Sequence, residues 1–316
     1  VVAPAPITRR GTALIIGRGN IALRHARVLR DMGFGSVFVS GREGPDSFRS
    51  IAEATASCRI DYAVVASETA RHLQDLTALS AHFTGPVLVE KPFADRSWRP
   101  DECPAFARIA VAYQLRFHPA IAAFRDWLAA ADNRAATNVL AYCGQYLPDW
   151  RPDRDYRLSY SADAERGGGV VLDLSHDIDL VAHLFGALEV RHACGGAWSE
   201  LETTSEDVAL ITASAARARG VQIQLDYLNR SPRRFLMANV GSHSIHADLV
   251  GNMLSIDGVD QRLPVLDGDT MLRDMHVDFL GPARHVCSLT EAGSLQATLD
   301  EIRTSIAGAN AQGTHG

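Results

Sequence analysis

Short apolar runs alternate with helical periodicities over the first third of the chain. Thr12 to Ile16 is apolar and β-branched and reads as a strand. The string GRGNIA follows it directly, and apolar positions then recur at helical spacing through Ile21, Ala22, His25, Val28 and Leu29. Gly33 and Gly35 stop that helix, and Val37 to Val39 reads as the next strand. Tyr62 to Ala66 and Val87 to Val89 are further short buried strands, separated by a helical stretch from Ala70 to Ala81. Strands alternating with helices predict a parallel, doubly wound α/β sheet. Beyond residue 112 the pattern changes. A helix near Ala120 to Ala131 is followed by longer strand-like runs at Asn138 to Tyr146, Val208 to Ala213, Val221 to Leu228 and Phe235 to Val250. Their short connections, such as Ala216 to Gly220, predict a second α/β domain built on a large, mainly antiparallel open sheet, with Leu295 to Ala309 as a closing helix. The expected organisation is a flexible tail at 1–10, one domain over 11–112 and a second over 113–316.

Length supports two cores, because 316 residues exceed what a single hydrophobic core usually serves. A hydrophobic fraction of 47% and a charged fraction of 22% are ordinary for a folded protein. The net charge of -6, without a basic cluster, argues against a nucleic-acid partner. No apolar run approaches the roughly 18 to 20 residues that span a bilayer, so no membrane partner is expected. The five cysteines (Cys58, Cys103, Cys143, Cys194, Cys287) are widely spaced and include no CxxC pair, which disfavours a disulfide framework or a metal site and fits a reducing cytoplasm. One feature of composition points toward chemistry. Of 31 basic residues, Lys91 is the only lysine. Arginine serves solubility and ion pairing as well, but only lysine readily gives up its proton when its surroundings lower its pKa.

GRGNIA fits G-x-G-x-x-A, with Gly17 permitting a tight turn, Gly19 letting backbone approach a pyrophosphate, and Ala22 allowing close helix packing. The N–H groups at the helix start, from Asn20 and Ile21, then face the phosphates. This is the dinucleotide-binding signature of a Rossmann domain. After the second strand, Ser40 and Arg42 stand where an NAD enzyme usually places a carboxylate. They suit the 2′-phosphate of NADP(H), which is the preferred cofactor on this reading; NAD(H) stays open, since Glu43 stands beside them. The run VLVEKPF puts Glu90 and Lys91 at the C-terminal end of a buried strand, where open α/β sheets bind ligands. In the second domain, three glycines precede a helix ending at Gly186, with an apolar stripe of Val171, Leu174, Ile178, Val181 and Phe185. Asp173, His176, Asp177 and His183 fall largely on another face. The i, i+3 spacing lets Asp173 and His176 lie side by side. Either this is a solvated polar face, or it is a carboxylate-oriented imidazole for proton transfer near neutral pH.

In order, GRGNIA with Arg24 and His25, VLVEKPF, YQLRFHP (113–119) and GGGVVLDLSHDID (167–179) resemble the glucose-fructose oxidoreductase, inositol 2-dehydrogenase and rhizopine-catabolism (Gfo/Idh/MocA) family. The resemblance covers nearly the whole chain. It implies an NAD(P)-dependent enzyme that interconverts a secondary hydroxyl and a ketone on a sugar, amino sugar or cyclitol. Lys91 matches the family's EKP lysine and Asp173 and His176 its helix pair, although many members space that pair four apart. Ala66, Ser67, His72 and Glu90 are then expected at the cofactor, and Tyr113, Arg116, Tyr156, Arg157 and Tyr160 at the substrate. DYR at 155–157, YSA at 160–162 and LDYLNRSPRR at 225–234 resemble a branch associated with surface-sugar and nonulosonic-acid biosynthesis. A homodimer or homotetramer formed through the C-terminal sheet is expected. A short-chain dehydrogenase is excluded, because its Tyr-x-x-x-Lys would need tyrosine where Val87 stands. Imine or enone reduction, and a non-catalytic dinucleotide sensor, are the competing readings.

Overall fold

A computed structural model describes residues 11–39, 47–130 and 135–313, and the expected tail at 1–10 lies outside them. The chain divides into two compact units, one made of 1–117 and 266–293, the other of 118–265 and 294–316.

The first unit opens with β1 (Gly11–Ile16), α1 (Asn20–Asp31), β2 (Phe34–Val39), β3 (Ser47–Phe48), α2 (Ile51–Ser57) and β4 (Tyr62–Val65). It continues through α3 (His72–Ser80), β5 (Pro86–Val89) and β6 (Arg108–Val111). β1 pairs in parallel with β2 on one side and β4 on the other, and β4, β5 and β6 extend the sheet in parallel. The doubly wound reading of the sequence holds. α1 lays Ala22, His25, Ala26, Val28 and Leu29 on this sheet, which is the face its periodicity marked.

The second unit carries α4 (Pro119–Ala130), β7 (Ala136–Gly144), the consecutive helices α5 (Val170–Asp173) and α6 (Ser175–Phe185), and β8 (Leu188–Gly196). Then come β9 (Val208–Ala215), β10 (Ala218–Asp226), β11 (Arg233–Val240), β12 (His243–Asp248), β13 (Met253–Ile256) and β14 (Val259–Arg262). Its eight strands run in the order β14-β13-β12-β11-β7-β10-β9-β8. Every neighbouring pair is antiparallel except β7 with β10, which the long excursion between them brings together in parallel. The single run expected from Phe235 to Val250 is a hairpin, turned at Gly241 with φ 62°. Positions such as Ala209, Ile211 and Ala213 are buried alternately along β9, where α5 packs; α4 packs on β12 and β13 and α6 on β7 and β10, and Phe124 meets Phe185 edge to face at 6.2 Å.

The chain then returns to the first unit. α7 (Gly268–Leu280) and β15 (Cys287–Ser288) precede the closing helix α8 (Leu289–Gly313). β15 pairs antiparallel with β6, and Leu272, Met275 and Phe279 of α7 enter the same core as Ala26 and Val28 of α1. The expectation of one uninterrupted second domain over 113–316 is therefore corrected. The α7 stripe is apolar enough to be a core element, but nothing local in the sequence says which core it joins. No helix among the described residues is long and apolar enough to cross a membrane.

Candidate active site

Gly17 ends β1 with φ 132°, and a Cβ there would stand 2.2 Å from the carbonyl oxygen of Ala66 at the end of β4. No other residue fits without separating the two strand ends. Gly19 is the N-cap of α1, and a Cβ there would meet nothing within 4 Å among the described residues. No side chain caps α1, and Asn20 is exposed while Ile21 is half-buried. Among the described residues nothing caps the N–H groups at the start of this twelve-residue helix, and such groups form a cradle for a phosphate. The residues fit a dinucleotide. Ser40 and Arg42 lie outside the described residues.

Ala66 is buried beside this turn, its N–H donating to the Ile16 carbonyl at 2.7 Å, and Ser67 follows half-buried. His72 is 1% exposed, with Nε2 facing the Ser67 carbonyl at 3.2 Å and Nδ1 facing those of Pro92 and Phe93 at 3.1 and 3.2 Å. Burial pushes its pKa down. The ring fastens the β4 loop to the segment after Lys91.

Lys91 follows β5 half-buried, and its backbone N–H donates to Glu90 Oε2 at 3.1 Å. Glu90 also faces inward. Its Oε1 lies 2.8 Å from His25 Nε2; His25 Nδ1 lies 2.9 Å from His276 Nε2; and His276 Nδ1 lies 2.8 Å from the Tyr62 hydroxyl. One set of hydrogen-bond directions satisfies every member: Tyr62 donates to His276, His276 to His25, and His25 to Glu90. Burial acts to raise the Glu90 carboxyl, but the hydrogen bond to His25 and the Lys91 N–H outweigh it and hold the group below its usual range. Burial pushes the Tyr62 hydroxyl well up, keeping it a donor. The chain ties α1, β4 and α7 to the turn that presents Lys91, so Glu90 acts as an anchor for that turn.

This network makes the fold acid-sensitive. Burial drives His276 well below the ordinary histidine value, so the native ring stays neutral. An unfolded histidine binds a proton below about pH 6.5, so in that range the unfolded state holds more protons and stability falls as pH falls. Melting temperature should therefore drop from about pH 7 to about pH 5, and His276→Gln should flatten part of that slope. Parallel pH profiles for the two proteins would show that His276 is not its source.

In the second unit, α5 ends at Asp173 and α6 begins at Ser175, with a break at Leu174 where φ is -97° and ψ 20°. The expected apolar stripe is buried at all five positions. The opposite face is not solvated: Asp173, Asp177 and Asp179 are buried, and His176 and His183 are half-buried. Asp173 Oδ2 accepts from the Tyr227 hydroxyl at 2.7 Å, and the Tyr160 hydroxyl bonds the same carboxylate. Burial and the Asp173 charge push both phenols well above their usual range, so both stay donors. Gly168 allows this, since a Cβ there would stand 2.1 Å from the Tyr160 carbonyl. Glu206 caps α5, accepting from Val171 N at 3.2 Å.

Tyr113 and Arg116, expected at the substrate, are each 2% exposed, and Arg116 pairs with Glu291 at 2.9 Å. Arg157 is exposed but already pairs with Asp155 at 2.7 Å and Glu202 at 3.1 Å, while the Tyr156 hydroxyl accepts from Glu202 N. Asp177 is an ion-pair partner of Arg234 at 3.2 Å; burial raises its carboxyl, against the pull of that guanidinium. Beside them burial pushes Cys143 up to about 12, which makes it an inert thiol. Sequence reasoning missed Tyr227, Glu206 and His276. Only Tyr227 had a local signal, lying in the LDYLNRSPRR segment.

No protein-family model and no curated protein matches the chain. Solved structures do. The UDP-N-acetylglucosamine 3-dehydrogenase GnnA from Acidithiobacillus ferrooxidans matches with a TM-score of 0.72 at 19% identity, over 94% of this chain and 97% of that one. An NAD-binding oxidoreductase from Klebsiella pneumoniae matches with a TM-score of 0.77 at 14% identity, over 95% and 97%. The chain shares the fold of these oxidoreductases. The WlbA dehydrogenase from Bordetella pertussis, in complex with NADH and UDP-GlcNAcA, matches with a TM-score of 0.71 at 17% identity, over 96% and 98%. Coverage of this extent takes in both units.

Proposed function

We propose that the chain is an NAD(P)-dependent oxidoreductase that interconverts a secondary hydroxyl and a ketone on a sugar, amino sugar or cyclitol. The observation that carries this reading is the turn at Gly17 with the uncapped start of α1, in a fold shared with dinucleotide-dependent dehydrogenases. When bound, the nicotinamide supplies a carrier for hydride, and the protein must position the carbon and manage one proton. Lys91 is assigned to hydrogen-bond the reacting oxygen. His176 takes or returns its proton. Asp173, fixed by the hydroxyls of Tyr227 and Tyr160, orients the substrate.

Ser40 and Arg42 support NADPH over NADH, since no carboxylate stands at the first position after β2 to repel a 2′-phosphate. Titration of both nucleotides by nicotinamide fluorescence should give tighter NADPH binding, weakened by Arg42→Ala. Gly17→Val should abolish binding of both. Tighter NADH binding would overturn the preference; undiminished binding by a folded Gly17→Val protein would overturn the site itself.

A further inference from the structure

The second unit holds an open cleft of about 490 Å³ lined by Gln145, Tyr146, Asp149, Trp150, Arg151 and Pro232. None of these residues enters the chemistry assigned above. The Trp150 ring meets Tyr227 edge to face at 5.3 Å, and the Tyr227 hydroxyl donates to Asp173, so the cleft stands one aromatic layer from the candidate catalytic carboxylate. Its walls combine the rings of Tyr146 and Trp150 with the guanidinium of Arg151 and the carboxylate of Asp149, and Arg230 stands beside this lining. Arg230 stacks over Tyr146 at 4.0 Å and donates to its hydroxyl at 3.0 Å. Arg151 and Arg230 are exposed, and neither forms an ion pair among the described residues, in contrast with Arg157 and Arg234 nearby in sequence. The indole N–H of Trp150 has no acceptor among the described residues.

We infer that this cleft binds the nucleoside diphosphate portion of the substrate, so that the sugar oxidised beside Asp173 is carried on a nucleotide. A simple sugar or cyclitol would use neither the aromatic walls nor the Arg151 guanidinium, with Arg230 beside it. A nucleoside diphosphate uses both: its base stacks on aromatic side chains, its phosphates pair with guanidinium groups, and its ribose hydroxyls donate to a carboxylate such as Asp149. The volume is within the range of small-molecule sites. This assignment rests on the oxidoreductase reading and specifies its substrate class.

Uridine 5′-diphosphate titrated calorimetrically into the full chain saturated with NADPH tests it, with guanosine, cytidine and thymidine diphosphates and inorganic pyrophosphate as parallel arms. At least one nucleoside diphosphate should bind beside the nicotinamide nucleotide and more tightly than pyrophosphate. Arg151→Ala and Trp150→Ala should each weaken it about ten-fold or more, with NADPH affinity unchanged. Trp150 packs on Tyr227, so melting temperature is read for that variant; the exposed Arg151 keeps the test valid if Trp150→Ala unfolds. Nucleotides that are displaced by NADPH, or that bind Arg151→Ala and folded Trp150→Ala as tightly as wild type, would overturn the cleft assignment. Absent NADPH binding in the first place is a separate outcome, scored by nicotinamide fluorescence, and counts against the oxidoreductase reading.

Discussion

Lys91→Arg should lose most of its turnover, by about 10² or more, while folding and binding NADPH like the wild type. The substitution keeps the positive charge, so a purely electrostatic role would survive it. Arginine differs in two respects: its planar fork is bulkier than an ammonium, and it stays protonated. The position is intolerant of extra bulk because its turn is anchored from below. Glu90 is held by His25 and by the Lys91 N–H, and His72 fastens the segment just beyond. A displaced turn would disturb the reacting oxygen's hydrogen bond without touching the phosphate cradle at Gly17. Three readings separate these effects: melting temperature, NADPH affinity by fluorescence, and single-turnover hydride transfer with the nucleotide sugar that the cleft accepts. A folded Lys91→Arg protein with near wild-type turnover would leave the sole lysine without a chemical role.

The first unit was legible because its determinants are local. The strand, the GRGNIA turn and the helix are contiguous, and period and glycine position alone fix their order. Gly17 is required by contact with Ala66, a partner far along the chain, yet its need for φ 132° is visible in the motif itself. The anchor beneath Lys91 was not legible. His25 reads as one more position on the α1 stripe, and its partner His276 lies 251 residues away on a helix that crosses back from the second unit's sequence. No local pattern reports such a return. The second unit failed differently. Alternation marked its strands, but β8 escaped because a register shift between Val190 and His192 interrupts the period at a sheet edge. The helix pair was placed on a polar face, whereas the structure buries Asp173, because aromatic hydroxyls from two distant segments compensate its charge. Arg116 shows the converse: an arginine in a promising motif is an interior partner of Glu291.

His176→Asn should preserve nicotinamide binding and lower turnover by about 10² to 10⁴, the usual contribution of a general acid or base. Asparagine keeps a hydrogen-bonding group of similar reach but cannot exchange a proton near neutral pH. His176 sits half-buried in the first turn of α6, directly after the break at Leu174. That break frees it from the strict i, i+3 geometry that one continuous helix would impose relative to Asp173. Asp173 is the fixed member, since Tyr227 and Tyr160 both donate to its carboxylate. Asp173→Asn removes the charge and turns one acceptor into a donor, leaving a buried phenol unsatisfied at a cost of about 1 to 3 kcal/mol. It should therefore raise KM, lower kcat and reduce melting temperature together. Tyr227→Phe separates the causes, because it keeps the ring against Trp150 while deleting one donor to Asp173. The expected pattern is a smaller loss of kcat than in Asp173→Asn, with nucleotide binding in the cleft retained. The pH dependence of single-turnover hydride transfer then identifies the proton carrier. If His176→Asn keeps the wild-type rate and the wild-type pH profile, the imidazole is a helix-face residue, and the proton must pass through Lys91 or Asp173.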